Sequence, residues 1–196
     1  KKPPSTPLPP GIELTERATD EQFQQAKGGP FANIVSTLAY ASRMTAIHLA
    51  LPVALLSRHM SKWSAEHMRL AIRVAHYAMI HKNEGITFCG YGNDEDDTLS
   101  GTADASFGER ALLAHFVLIN GAPFDWGIAT ARVVVLSTTD AELRAAMALA
   151  RKVKGWRLLM NELPIRFRQD KPTKCEGDCS PAVTIVNNPG ALGDAT

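Results

Sequence analysis

The sequence predicts an α/β fold, a mixed sheet preceded by a small helical segment, and three observations predict it. Apolar residues recur at helical three-and-four spacing from Phe31 to Met79. Short strand-like runs then take over between residues 98 and 136, with an Asn-Gly turn signal at Asn120-Gly121. A long amphipathic stretch follows at 138–160, and a last strand-like run at Ala182–Val186 completes the order strand, strand, strand, helix, strand.

Residues 1–29 read as a tail of little regular structure, because Pro and Gly cluster at both of its ends (Pro3, Pro4, Pro7, Pro9, Pro10; Gly28, Gly29, Pro30). Residues 30–85 read as the helical segment. Phe31, Ile34, Val35, Leu38 and Ala41 share one helix face. Pro52 sits inside the apolar stretch Ile47–Leu56, so a helix is kinked or begins near it. Ser64 is an N-cap for a third helix, with Met68, Ile72, Ala75 and Met79 as its stripe and Asn83-Glu84-Gly85 as its stop. His48, His59, His67, His76 and His81 show no ligand spacing and read as surface or packed histidines.

Residues 86–196 read as the α/β domain. Ile86–Cys89 is strand-like, 90–97 is an acidic turn-rich loop, and Thr98–Phe107, His115–Ile119 and Arg132–Leu136 are three strands. Leu143, Ala146, Met147, Ala150, Val153 and Trp156 form the apolar face of the long helix. Arg151, Lys152, Lys154 and Arg157 lie on the same helix, with Arg166, Arg168, Lys171 and Lys174 beyond it. They read either as a solvated face or as a patch that tracks nucleic-acid phosphates.

Net charge is +1, so any nucleic-acid contact must come from such a local patch. No apolar run reaches the roughly 18–20 residues of a membrane span, and Lys1–Pro10 has no signal-peptide core. Secretion stays open. Three cysteines are too few for a disulfide framework. Cys175 and Cys179 flank Glu176-Gly177-Asp178, a spacing that supplies only half a zinc site. They read as free thiols in a surface loop of a cytosolic protein, or as a local disulfide in a secreted one.

Several stretches, in order, resemble the end of copia-type retrotransposon reverse transcriptases. Leu55-Leu56-Ser57-Arg58-His59-Met60 with Glu66-His67 resembles their "LLSRFM…EH" connection segment. Ala103-Asp104-Ala105-Ser106-Phe107 resembles "SDADW", Leu136–Leu143 resembles "LSTTEAEY", and Ile185–Ala191 resembles "YCDNxxAI". The resemblance covers about residues 31–192 and implies a ribonuclease H-like domain: three antiparallel strands, a helix, and a fourth strand parallel to the first.

It also implies chemistry. Such enzymes cleave the RNA strand of an RNA–DNA hybrid with two divalent cations, Mg²⁺ or Mn²⁺. Cations about 4 Å apart activate a water and stabilise the leaving oxygen. Carboxylates hold them, because Mg²⁺ prefers hard oxygen donors. By the resemblance, Asp104 is the first carboxylate and Glu142 the second, and Asn187 stands where the third is expected. Read alone, Glu142 also fits a capping box with Thr139, and Asn187-Asn188 before Pro189 fits a turn. The fourth carboxylate of the family is not matched before Thr196.

Two functions follow. One is a retroelement ribonuclease H, impaired by Asn187, cytoplasmic or nuclear. The other is a scaffold that keeps the fold without the catalysis and binds nucleic acid or an unknown protein partner. The reading leans to the scaffold, because the family's "STSG" reads Ala111-Leu112-Leu113-Ala114 and its "RPDI" reads Ala46-Ile47-His48-Leu49.

Overall fold

The computed structural model describes residues 4–12, 14, 16–88, 98–108, 110–163 and 172–188. The chain divides into two compact units, 1–86 and 87–196.

The first unit is helical. Its order is α1 (Asp20–Ala26), α2 (Phe31–Met44), a 3-10 turn (Ile47–Leu49), α3 (Ala50–Ser57) and α4 (Ala65–Ile80). The stretch 1–29 read as irregular thus contains a helix. Thr19 starts it through a capping box: its hydroxyl accepts from Gln22 N (3.2 Å), and the Gln22 side chain accepts from Thr19 N (2.9 Å). Leu14, from the same stretch, is buried in the core. Pro52 is buried in the first turn of α3, where a missing N–H leaves no helical bond unmade.

Ser64 caps α4 as predicted, and His67 completes the box by accepting from Ser64 N at 3.1 Å. The apolar stripe of α4 needs correction. Ile72 and Met79 are exposed, and Leu70, Ala71, Val74 and Tyr77 face the core with Phe31, Val35, Leu49, Val53 and Leu56. His59 and His67 are buried, their ring centroids 4.0 Å apart.

The second unit is a four-stranded sheet, ordered β3-β2-β1-β4, with a long helix against it. The strands are β1 (Leu99–Ala105), β2 (Leu112–Ile119), β3 (Ala122–Thr130) and β4 (Lys174–Glu176); the helices are α5 (Thr138–Glu162) and α6 (Ser180–Asn187). β1, β2 and β3 pair antiparallel, and β4 lies parallel to β1. This is the mixed sheet that the resemblance implies for a ribonuclease H-like domain.

Asn120 (φ 52°) and Gly121 (φ 80°) make the tight turn between β2 and β3, since both central residues of that turn need positive φ. The third strand therefore follows the turn at once. Arg132–Leu136 is a non-strand connection into α5, not a strand. Residues 86–88 are likewise not a strand, and Cys89, the acidic loop 90–97 and the basic residues Arg166, Arg168 and Lys171 lie outside the described residues.

The core of this unit joins Leu99, Ala103 and Val117 of the sheet to Ala145, Leu149 and Val153 of α5. Gly101 lets α5 approach: a Cβ there would meet Leu149 Cδ1 at 2.7 Å. An irregularity in the β2–β3 register at Val117/Leu118 turns two consecutive residues toward α5. Phe124 stacks edge-on against Trp156 at 4.7 Å, and Asp125 accepts from Trp156 Nε1 at 2.6 Å. Among the described residues no helix is long and apolar enough to cross a membrane.

Candidate metal centre

Three elements end at one place. Asp104 is the penultimate residue of β1 and is exposed. Glu142 is in the opening turns of α5. Asp178 lies between β4 and α6. Carboxylate oxygens of the three lie within 4.8 Å of one another, the only such His/Cys/Asp/Glu group among the described residues.

The backbone explains the convergence. The parallel ladder pairs Ser100 with Lys174, Gly101 with Cys175 and Thr102 with Glu176. The ladder ends there, and Asp104 and Asp178 each follow two residues beyond its last pair. Glu142 reaches β1 from the helix and accepts from Ala105 N at 3.2 Å. It is not engaged in capping. Ser137 is the N-cap, its hydroxyl accepts from Asp140 N at 3.0 Å, and Asp140 takes the acidic place in the turn by accepting from Leu136 N.

Partial burial pushes the Glu142 carboxyl above the usual range, and the charges of Asp104 and Asp178 push it the same way; the Ala105 N–H opposes them. Among the described residues no ion pair satisfies any of the three carboxylates. Three carboxylates with no cationic partner form a donor set of the kind that hard divalent cations occupy.

Of the predicted site residues, the structure brings Asp104 and Glu142 together. Asn187 is not at the end of a strand. Ala182–Val186 is inside α6, and Asn187 is that helix's last residue. The strand parallel to β1 is instead Lys174–Glu176, so Cys175 lies in a strand and only Cys179 in the connection. Pro181 in the first turn of α6 fits a helix start, and a central strand would reject it.

Asp178 is the residue that the motif reading missed. In "YCDNxxAI" the Asp precedes Ala-Ile by four and five residues. Asp178 precedes Ala182 and Val183 by the same spacing.

Of the basic residues on α5, Arg151, Lys152 and Lys154 are exposed. Lys152 pairs with Asp125 at 3.1 Å, and Arg157 donates to Thr173 Oγ1 at 2.9 Å. Between α5 and α6 lies a cavity of about 390 Å³, lined by apolar side chains and bordered by Glu142, Cys175, Cys179 and Asn187.

The mixed four-stranded sheet, its long helix and the helices before it are consistent with a ribonuclease H-like fold. Over 177 residues, 86% of the chain, it is 25% identical to the retrovirus-related Pol polyprotein from transposon TNT 1-94 of Nicotiana tabacum. That similarity supports a retroelement-derived origin. The matched region is 13% of the polyprotein's length, so the chain spans a small part of that relative. No protein-family model matches the chain, and no solved structure matches it.

Proposed function

We propose that the second unit is a retroelement-derived ribonuclease H that hydrolyses the RNA strand of an RNA–DNA hybrid, with Asp104, Glu142 and Asp178 as its metal ligands. One observation carries this reading: three carboxylates from β1, α5 and the β4–α6 connection converge within 4.8 Å, with no ion pair to them among the described residues. In this reading the third carboxylate is Asp178, and the impairment inferred from Asn187 has no basis in the site.

Asp104, Glu142 and Asp178 would hold Mg²⁺ or Mn²⁺. Such cations, when bound, lower the pKa of water and neutralise phosphate charge. The chain's own residues prepare the site. The β1–β4 ladder brings together the two chain segments that lead into Asp104 and Asp178. The Ala105 N–H holds Glu142 toward them and fixes one of its oxygens. Crowding of like charge disfavours the metal-free ionised state, so cation binding relieves repulsion already present. Exposed Arg151 and Lys154 on α5 offer phosphate contacts for the hybrid backbone.

The test is cleavage of a labelled RNA–DNA hybrid by the full chain with Mg²⁺ and with Mn²⁺. The expected result is metal-dependent cut RNA that is lost in Asp104→Asn. A chain that folds, binds Mn²⁺ and cleaves no hybrid with either cation would instead leave a scaffold that binds nucleic acid or a protein partner.

A further inference from the structure

The connection that carries Asp178 is flanked by the chain's two described thiols. Cys175 is the central residue of β4, opposite Gly101 in the ladder. Cys179 immediately precedes the first turn of α6. Both are free, and both border the cavity of about 390 Å³ between α5 and α6, which Glu142 also borders. Only Glu176, Gly177 and Asp178 separate them. Gly177 has open space around it, its nearest neighbour to a built Cβ being Ala103 O at 3.9 Å. The segment between the thiols can therefore change course without a clash at its glycine.

We propose that Cys175 and Cys179 are a redox modification site, at which a peroxide-class oxidant closes a disulfide that draws Asp178 out of the carboxylate group. The step balances. A hydroperoxide oxidises one thiol to the sulfenic acid and leaves as water or alcohol. The second thiol then attacks that sulfur, the S–S bond forms, and the sulfenic oxygen leaves as water. Two thiols are oxidised by two electrons, and one peroxide O–O bond is reduced.

A five-residue ring closed through sulfur cannot keep an arbitrary path, because a disulfide holds its Cα atoms within about 4.4–6.8 Å. Asp178 has no anchor of its own: among the described residues its carboxylate is in no ion pair and accepts no hydrogen bond, unlike Glu142. It is the member of the group that ring closure moves. The consequence rests on the metal-binding reading proposed above: the oxidised chain loses one of three cation ligands.

The test uses the full chain with Cys89→Ser, so that only this pair can bridge. It is treated with hydrogen peroxide, mapped by peptide mass, and titrated with Mn²⁺ before and after oxidation and after dithiothreitol. The expected result is an intramolecular Cys175–Cys179 peptide two mass units lighter, at least tenfold weaker Mn²⁺ binding, and recovery on reduction. Cys179→Ser should bind Mn²⁺ normally and be indifferent to peroxide. Oxidation that leaves the two thiols unbridged, or a bridge that leaves Mn²⁺ affinity unchanged, overturns this inference alone. A reduced chain that binds no Mn²⁺ overturns the metal-binding reading and this inference with it.

Discussion

Asp104 and Asp178 each lie two residues beyond Thr102 and Glu176, the last pair of the parallel β1–β4 ladder, and their carboxylates come within 4.8 Å of each other. Backbone pairing that stops just short of both residues brings their chain segments side by side, and α5 brings the third carboxylate.

From this follows a paired substitution. Asp178→Asn removes a unit charge from the group, and losing one such electrostatic contact costs on the order of 10²–10³ in rate. Asn187→Asp adds a charge at the far end of α6, outside the group. Hybrid cleavage should fall steeply in the first variant and stay within about twofold in the second. Strong gain from Asn187→Asp would restore Asn187 as the missing ligand and sink the assignment of Asp178.

Glu142 allows a test without substrate. Its folded pKa is raised, so its ionised form opposes folding of the metal-free chain. The sign is definite. Its contribution is favourable below the unfolded carboxylate value and is lost as pH rises through the folded value. Glu142→Gln should therefore raise the Tm of the metal-free chain at pH 7, with the gain vanishing toward pH 4. Differential scanning calorimetry with a chelator present reads both. A lower Tm at pH 7 would mean that the Ala105 N–H contact outweighs the repulsion.

Much of this domain was legible in the sequence, and the misreadings have physical causes. Helix α5 was clear from its apolar period, but its cap is Ser137 with Asp140 and not the Thr139–Glu142 box that the sequence offered. β2 was clear from Phe116, Val117 and Ile119, whereas β1 holds only Thr102 as a strongly β-favouring residue. β3 was missed because Pro123, Asp125 and Gly127 interrupt it, and its bulge breaks the alternation. The run Arg132–Leu136 looked like a strand by composition, yet Val133, Val134 and Leu136 are exposed. β4 was hidden by its length, three residues without one strongly β-favouring side chain. That error moved the third site residue. Val183, Ile185 and Val186 look like a strand, but Pro181 and the turn at Asp178 start a helix. The helix faces were offset where two apolar stripes compete, as in α4, where Ile72 and Met79 are exposed.

Gly101 sits where α5 crosses β1, against Leu149, which is 1% exposed. Since Leu149 is enclosed, it has little room to yield. Gly101→Val should destabilise the chain by about 1–3 kcal/mol, the usual cost of overpacking a filled core. Urea unfolding followed by tryptophan fluorescence measures it. Leu149→Ala in the same background should recover part of the loss, and strict additivity of the two changes would show that they do not meet.

The helical unit should be acid-sensitive through His67. Burial pushes its pKa down, and the charge of His59, whose ring centroid is 4.0 Å away, adds to that; Glu66 and the backbone at Glu16 oppose it. In the folded state His67 is thus neutral where an unfolded histidine would be protonated. Its Nδ1 accepts from Ser64 N, a role the protonated ring cannot fill. The unfolded chain then binds more protons, and stability rises with pH. The contribution is present above the unfolded value, about 6.5, and is lost as pH falls below it. The Tm should accordingly drop between pH 7.5 and pH 5. His67→Gln keeps an acceptor that suits the capping box and removes the titration. Its Tm should change less over the same interval. Equal pH slopes in the two proteins would place the acid sensitivity elsewhere.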